Sequence, residues 1–168
     1  TEAALNLAEN KHLRGQTEKA AALAQKVLPN LRAGRDRHTL GLVLANLCGY
    51  LVALGRLSEL PAVAREALQN GAEYDRDGVP VTDVIEHSAL ALALNGDVRC
   101  GALLAGYTQV AFGRIGFQRE YTEQTTRTPL EALLQERLSP AELSALLAQG
   151  AALSPEDAIV LALSRLNE

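Results

Sequence analysis

Apolar positions recur at helical spacing along almost the whole chain, and short polar segments carrying glycine cut them into units. From Glu2 to Leu13, the residues Ala3, Ala4, Leu7 and Ala8 form one helical face. A turn is expected at Arg14-Gly15. Thr17 to Leu31 follows as a partner helix with Leu23, Val27 and Leu28 on one stripe, and Pro29 is expected to kink or finish it. Arg32 to His38 is a polar linker in which Asp36 is a candidate N-cap. Arg37 to Leu54 is apolar nearly all round, the pattern of a helix flanked on both sides. After a tight turn at Gly55-Arg56, Ser58 is expected to cap the next helix, Pro61 to lie in its first turn, and Asn70-Gly71 to end it. Glu73 to Gly78 reads as an acidic loop. Pro80 or Thr82 then opens a third pair: one helix to Asn95-Gly96 and another from near Asp97 to Ile115, with Gly116 as the stop.

The pattern repeats. Gly15, Gly55 and Gly96 align at steps of 40 and 41 residues. At the first step Asn6-Leu7 falls on Asn46-Leu47, Ala24 on Ala64, and Val27-Leu28 on Ala67-Leu68. At the second, His87 falls on Asn46, and Gly101 and Ala105 fall on Leu60 and Ala64. A fixed period of this size marks stacked supersecondary units, each of which needs its neighbours to bury its apolar face. Ala20, Ala24, Ala64, Gly101 and Ala105 are expected where the second helix of each pair presses on the first, because short side chains set a short interaxial distance.

The last stretch leaves this period. Phe117 to Arg127 is polar and reads equally as a loop or as first helical turns. Then Thr128-Pro129-Leu130-Glu131, Ser139-Pro140-Ala141-Glu142 and Ser154-Pro155-Glu156-Asp157 repeat one device: a capping hydroxyl, proline at the first helical position, and an acid three residues on. These predict three helix starts, and short terminal helices would close the apolar end of an array. The expected fold class is all-α, an α-α superhelix of about nine helices. Three hairpins would occupy residues 1–116, and C-terminal capping helices of the same domain residues 117–168.

Asn46-Leu47, Cys48, Leu54-Gly55, Ala64 and Ala67-Leu68 resemble the tetratricopeptide repeat, as do Asn6-Leu7-Ala8, Gly15, Ala20, Ala24 and Val27-Leu28. The third unit departs from it at His87-Ser88 and Gly101, the family's tryptophan is absent, and the period exceeds the usual one of about 34 residues. The resemblance implies a right-handed superhelix whose first helices line a concave groove. A second resemblance rests on Ala102-Leu103-Leu104-Ala105-Gly106, a helix ending at Leu138, and the run from Gln149 to Leu163. These resemble the C-terminal end of bacterial multidomain transcriptional regulators, in which a DNA-binding or cyclase domain precedes a signal-transducing ATPase of the STAND type. It implies a cytoplasmic sensory or interaction array, with the ATPase and DNA-binding parts outside this sequence. The chain contains no Met, as expected of a piece of a longer protein.

Composition narrows the picture further. Hydrophobic residues at 48% and charged ones at 21% fit a soluble globular domain. Aromatics are only 4%, so the core must be closely packed Ala and Leu. A net charge of −4 argues against direct nucleic-acid binding, and Arg32, Arg35, Arg37 and His38 read as a solvated basic loop. No apolar run reaches membrane-spanning length and no signal peptide is visible. Cys48 and Cys100 read as reduced, buried and structural. The histidines His12, His38 and His87 are far apart in sequence, neither cysteine has a nearby thiol, and glycine-rich phosphate loops are absent. No metal and no cofactor is therefore expected.

Two constellations carry candidate chemistry. Asp83 and His87 lie one turn apart beside Glu86 and Ser88, a spacing in which a carboxylate can orient an imidazole. One turn of helix supplies neither an oxyanion donor nor a pocket, so the favoured reading is a polar helix face, and the chain is not expected to be an enzyme. The second is the column Asn6, Asn46 and His87, with Asn10 and Tyr50 one turn further on. Together with Asp83 these form the candidate binding groove, suited to a protein or peptide, or to a small polar effector. Alternatively the asparagines bond inside the stack, and the chain is a docking scaffold whose homodimer covers apolar surface on the first helix.

Overall fold

A computed structural model describes residues 2–166, with side chains from residue 3 onward. Among the described residues the chain is all-α, with nine helices and no strand: α1 Glu2–Leu13, α2 Thr17–Ala33, α3 Arg37–Ala53, α4 Leu60–Tyr74, α5 Val79–Leu94, α6 Val98–Ile115, α7 Tyr121–Arg137, α8 Pro140–Ala151 and α9 Pro155–Leu166. None of these helices is long and apolar enough to cross a membrane.

The first six helices pair as hairpins, and the aligned glycines make their turns. Gly15, Gly55 and Gly96 have φ of 73°, 70° and 101°, a conformation that costs little only without a Cβ. Each turn carries the same two bonds. The glycine N–H reaches back three residues, to His12 O, Val52 O and Ala93 O, and the next N–H reaches back five, to Lys11 O, Leu51 O and Leu92 O. This is the Schellman closure that satisfies the last carbonyls of a helix. Asp36 and Asp97 cap α3 and α6 by accepting from Thr39 N at 3.0 Å and Cys100 N at 3.1 Å.

The two central helices are α3 and α5. Between Leu40 and Val52 almost every residue of α3 is buried, and so is every residue of α5 from Val81 to Ala93. Helix α3 is flanked by α2, α4 and α5, while α5 is covered by α4, α6, α7 and α9. The short residues expected at the pair contacts are buried: Ala20, Ala64 and Ala105 at 0% exposure, Ala24 at 4%. Gly101 faces α5 closely, since a Cβ there would stand 2.9 Å from Ala89 O. Cys48 and Cys100 are buried thiols.

Three boundaries differ from expectation. Ser58 does not cap α4; a turn occupies residues 57–59 and the helix starts at Leu60. Asn70-Gly71 does not end α4, which continues to Tyr74. Instead the Asn70 amide donates to Arg37 O at 3.0 Å, and Gly71 leaves the space taken by Val81 of α5. Finally, α7 begins at Tyr121, so Thr128-Pro129 lies inside a helix. Its start is the Glu120-x-x-Glu123 pair, with Glu120 N donating to Glu123 Oε2 at 2.8 Å. The other two proline starts hold: Ser139 Oγ accepts from Glu142 N, and Ser154 Oγ from Asp157 N. Pro29 likewise lies within α2, which runs on to Ala33.

The C-terminal helices do more than extend the stack. Helix α8 lies on α6 so closely that a Cβ at Gly106 would run into the Leu147 carbonyl, and one at Gly150 into the Leu103 carbonyl. Helix α9 crosses α4, α5 and α6. Helix α7 turns back over the first helices of the hairpins, packing on α5 and α3 and reaching α1.

Candidate functional site

Helix α7 decides the fate of the candidate groove. Gly49 of α3 and His87 of α5 lie under Thr122 and Thr126, while Val52 and Leu94 further along share a surface with Pro129 and Leu133. So α7 runs in the same direction as α3 and α5 and lies along the face that those helices present together. The face expected to be open is covered by the chain itself.

Four of the six groove candidates are consequently buried: Asn46 at 8% exposure, Tyr50 at 0%, Asp83 at 4% and His87 at 1%. The Asn46 amide donates to Glu9 Oε1 at 2.9 Å, and His87 Nδ1 is 2.8 Å from Thr126 Oγ1. The ring of His87 fits there because Gly49 has no side chain; a Cβ would stand 2.9 Å from the imidazole. Only Asn6 and Asn10 are exposed. This corrects the expectation of one shared open surface: the column splits into a buried layer under α7 and an exposed end on α1.

The buried layer centres on Glu86, which is 1% exposed. Its carboxylate accepts two bonds from Arg119, at 2.8 and 2.7 Å, one from Arg127 at 3.1 Å and one from Thr108 Oγ1 at 2.9 Å. Arg127 also donates to Ala105 O at 3.1 Å and to Glu131 at 2.6 Å, and Arg119 lies over the Phe112 ring at 4.6 Å. A buried carboxylate needs such compensation, because desolvation alone would expel it. At the α1 end of the layer, His12 Nδ1 is 3.0 Å from Thr17 Oγ1 and Nε2 is 3.4 Å from Thr125 Oγ1.

Two buried polar atoms in this layer lack a partner among the described residues, Tyr50 Oη and Asp83 Oδ1. Burial, with the charges of Glu123 and Glu86 added, pushes the Asp83 carboxyl well above the usual range against the pull of Arg119. Glu123 is raised for the same first reason, burial, and Tyr50 is raised by burial and by the charges of Glu9 and Glu123. Burial lowers His87 to about 4, so its imidazole is neutral. Solvent does not reach that ring, and its acceptor or donor bond is to a threonine; Asp83 and His87 are not arranged as an acid–base pair open to a substrate.

At the exposed end, α1 and the start of α7 enclose a cleft of about 350 Å³, lined by Asn6, Glu9, Asn10, Glu120, Tyr121 and Glu123. Its polar groups are amides, carboxylates, the Tyr121 phenol and the Thr122 hydroxyl, a set that both donates and accepts hydrogen bonds. A second cavity, of about 250 Å³, lies where α3, α4 and α5 meet and is lined by Arg37, His38, Asn70, Tyr74, Asp75 and Pro80. Two members of the basic stretch thus border a cavity as well as solvent. Among the described residues no group of three or more His, Cys, Asp or Glu is placed to hold a metal ion.

Arg119, Thr122, Glu123, Thr126 and Arg127 were not among the expected site residues. One signal does point to them. Asp83, Glu86, His87 and Ser88 form a polar island in an otherwise apolar helix, and buried polar groups require polar partners from elsewhere in the chain.

Compared with known protein families, with curated proteins and with solved structures, the chain matches none.

Proposed function

We propose that this chain is a non-catalytic protein- or effector-binding array, tetratricopeptide-like in its right-handed superhelix. In this reading it is the cytoplasmic C-terminal sensory domain of a larger bacterial transcriptional regulator that carries a signal-transducing ATPase. The repeated Schellman turns at Gly15, Gly55 and Gly96 support the array, and the resemblance of the C-terminal third supports the regulator. The observation that carries binding is the cleft between α1 and α7. It keeps Asn6 and Asn10 accessible while its far wall belongs to the helix that covers the groove. A ligand there touches two elements at once and so favours one placement of α7 over another, which is the unequal affinity that any ligand-driven switch needs.

The test is retention of a partner or effector from bacterial extract by the purified chain, beside an Asn6→Ala, Asn10→Ala double variant of equal helix content. Retention by the wild type and loss by the variant are expected. Equal retention by both, or by neither, overturns the assignment of the cleft.

A docking scaffold without a ligand is favoured by one observation: Leu7 and Leu13 on α1 are 49% and 55% exposed. Light scattering distinguishes it, since Leu7→Lys with Leu13→Lys would convert a dimer to a monomer.

A further inference from the structure

The geometry points to a second binding site, separate from the α1–α7 cleft: the cavity where α3, α4 and α5 meet takes a free aromatic amino acid as its zwitterion. The two sites share no lining residue. Shape, charge and an open hydrogen-bond acceptor carry the assignment.

The inner wall of the cavity is made by short or apolar residues. Helices α3 and α4 bring Gly41, Ala67 and Gly71 to this place, α5 adds Val81, and all four are buried. Val81 takes the space beside Gly71, and about 250 Å³ remains among the helices. Pro80 and the 63% exposed Tyr74 stand nearer the mouth. An aromatic ring suits such a surface, since it buries a large apolar area and packs against another ring. The volume lies below the ~300–1,000 Å³ of sites for drug-sized ligands, so the occupant is a smaller molecule.

Two opposite charges border the same cavity, Arg37 at the start of α3 and Asp75 at the end of α4. They do not pair with each other. Among the described residues neither side chain has a hydrogen bond or an ion pair. The Asp75 carboxylate occupies the space that a side chain on Gly78 would need, which fixes where it lies. One molecule carrying both a carboxylate and an ammonium meets both groups. The Arg37 fork matches the carboxylate in two bonds, and Asp75 accepts from the ammonium.

Asn70 supplies a further acceptor. Its amide donates to Arg37 O at 3.0 Å, which ties α4 to the first turn of α3. That bond uses the nitrogen, so Oδ1 is left as an acceptor with no donor among the described residues. An ammonium has three hydrogens to place, and Asp75 and Asn70 line the same cavity. A simple anion would leave Asp75 unmet, and a simple amine would leave Arg37 unmet; an α-amino acid answers both.

The experiment is titration calorimetry on the full chain with L-phenylalanine, phenylacetate, phenethylamine and glycine. These hold the whole pattern, then lack in turn the ammonium, the carboxylate and the ring. Phenylalanine should bind at least tenfold tighter than each of the others. Arg37→Gln and Asp75→Asn, at unchanged helix content, should each weaken it at least tenfold, while the Asn6→Ala, Asn10→Ala variant should bind it as the wild type does. Phenylacetate or phenethylamine binding as tightly as phenylalanine overturns the zwitterion, and glycine doing so overturns the apolar wall. No binding of any of the four, or binding indifferent to both charge variants, overturns the site. Should a variant unfold, the four ligands on the wild type decide. Failure here leaves the α1–α7 cleft untouched, because the cleft is read through Asn6 and Asn10.

Discussion

Asp83 is the residue whose surroundings suit it least. It is 4% exposed, its Oδ1 has no partner among the described residues, and the carboxylates of Glu123, Glu86 and Glu120 bear on it. A group whose folded pKa is raised favours the fold in acid, and that contribution is lost as pH rises through the folded value. Asp83→Asn should therefore gain about 1–3 kcal/mol at pH 7, because the amide has no charge whose burial opposes folding. The gain should shrink as pH falls toward 4.5. Urea denaturation at the two pH values checks this; a gain independent of pH would show that ionisation of Asp83 is not the cause. His87 works in the opposite sense. Its folded pKa lies near 4, below the ordinary 6.5. The unfolded chain then takes up a proton that the fold refuses, and stability falls as pH drops from about 6.5 toward 4. His87→Gln should flatten that part of the profile. The spacing of Asp83 and His87 was visible in the sequence, but not their burial, because the helix that buries them lies about 40 residues further on.

At the scale of elements, the glycines separate into those that turn the chain and those that let helices touch. Gly106 belongs to the second kind. Gly106→Ala should destabilise by about 1–3 kcal/mol, as overpacking does, because the methyl meets the backbone of α8. Gly113, on the same helix, has nothing within 4 Å of a built Cβ. Gly113→Ala should instead stabilise by up to about 1 kcal/mol through helix propensity. Thermal melts of the two variants should shift in opposite directions; a shift of the same sign would refute the close α6–α8 contact. The same scale explains why α7 starts early. Proline inside a helix costs about 3 kcal/mol. The turns upstream of Pro129 bury Thr122, Glu123, Thr126 and Arg127, and Thr126 and Arg127 reach His87 and Glu86 there. Packing outweighs the proline, and the Thr128-Pro129 signature, legible as a start, becomes the middle of a helix. Ser139-Pro140 and Ser154-Pro155 meet no such opposing burial immediately upstream, and there the sequence pattern and the helix starts agree.

For the whole molecule, the hairpin stack shares one hydrophobic core, and small residues are buried within it. Ala64 is 0% exposed. Ala64→Trp should cost about 3 kcal/mol or more by overpacking, lowering the melting temperature of all nine helices together; unchanged stability would refute the contact. The stack is also where the sequence was most informative. Gly15, Gly55 and Gly96 share a local requirement, a left-handed turn closing a helix, and local requirements repeat visibly at a fixed period. Asn6, Asn46 and His87 share a register but not an environment, because one end of the column lies at solvent and the other under α7.

Helix content, the three hairpin turns, the buried character of α3 and two of the three proline starts followed from the sequence alone, since each depends on residues within a few positions of one another. Where α7 lies depended on contacts far apart in the chain: Glu86 with Arg119 and Arg127, His87 with Thr126, His12 with Thr125. The energy of such contacts is set by burial and by which charges share it. Neither is a property of a single segment, so only the tertiary structure decided that the face expected to be a groove is closed by the chain's own helix.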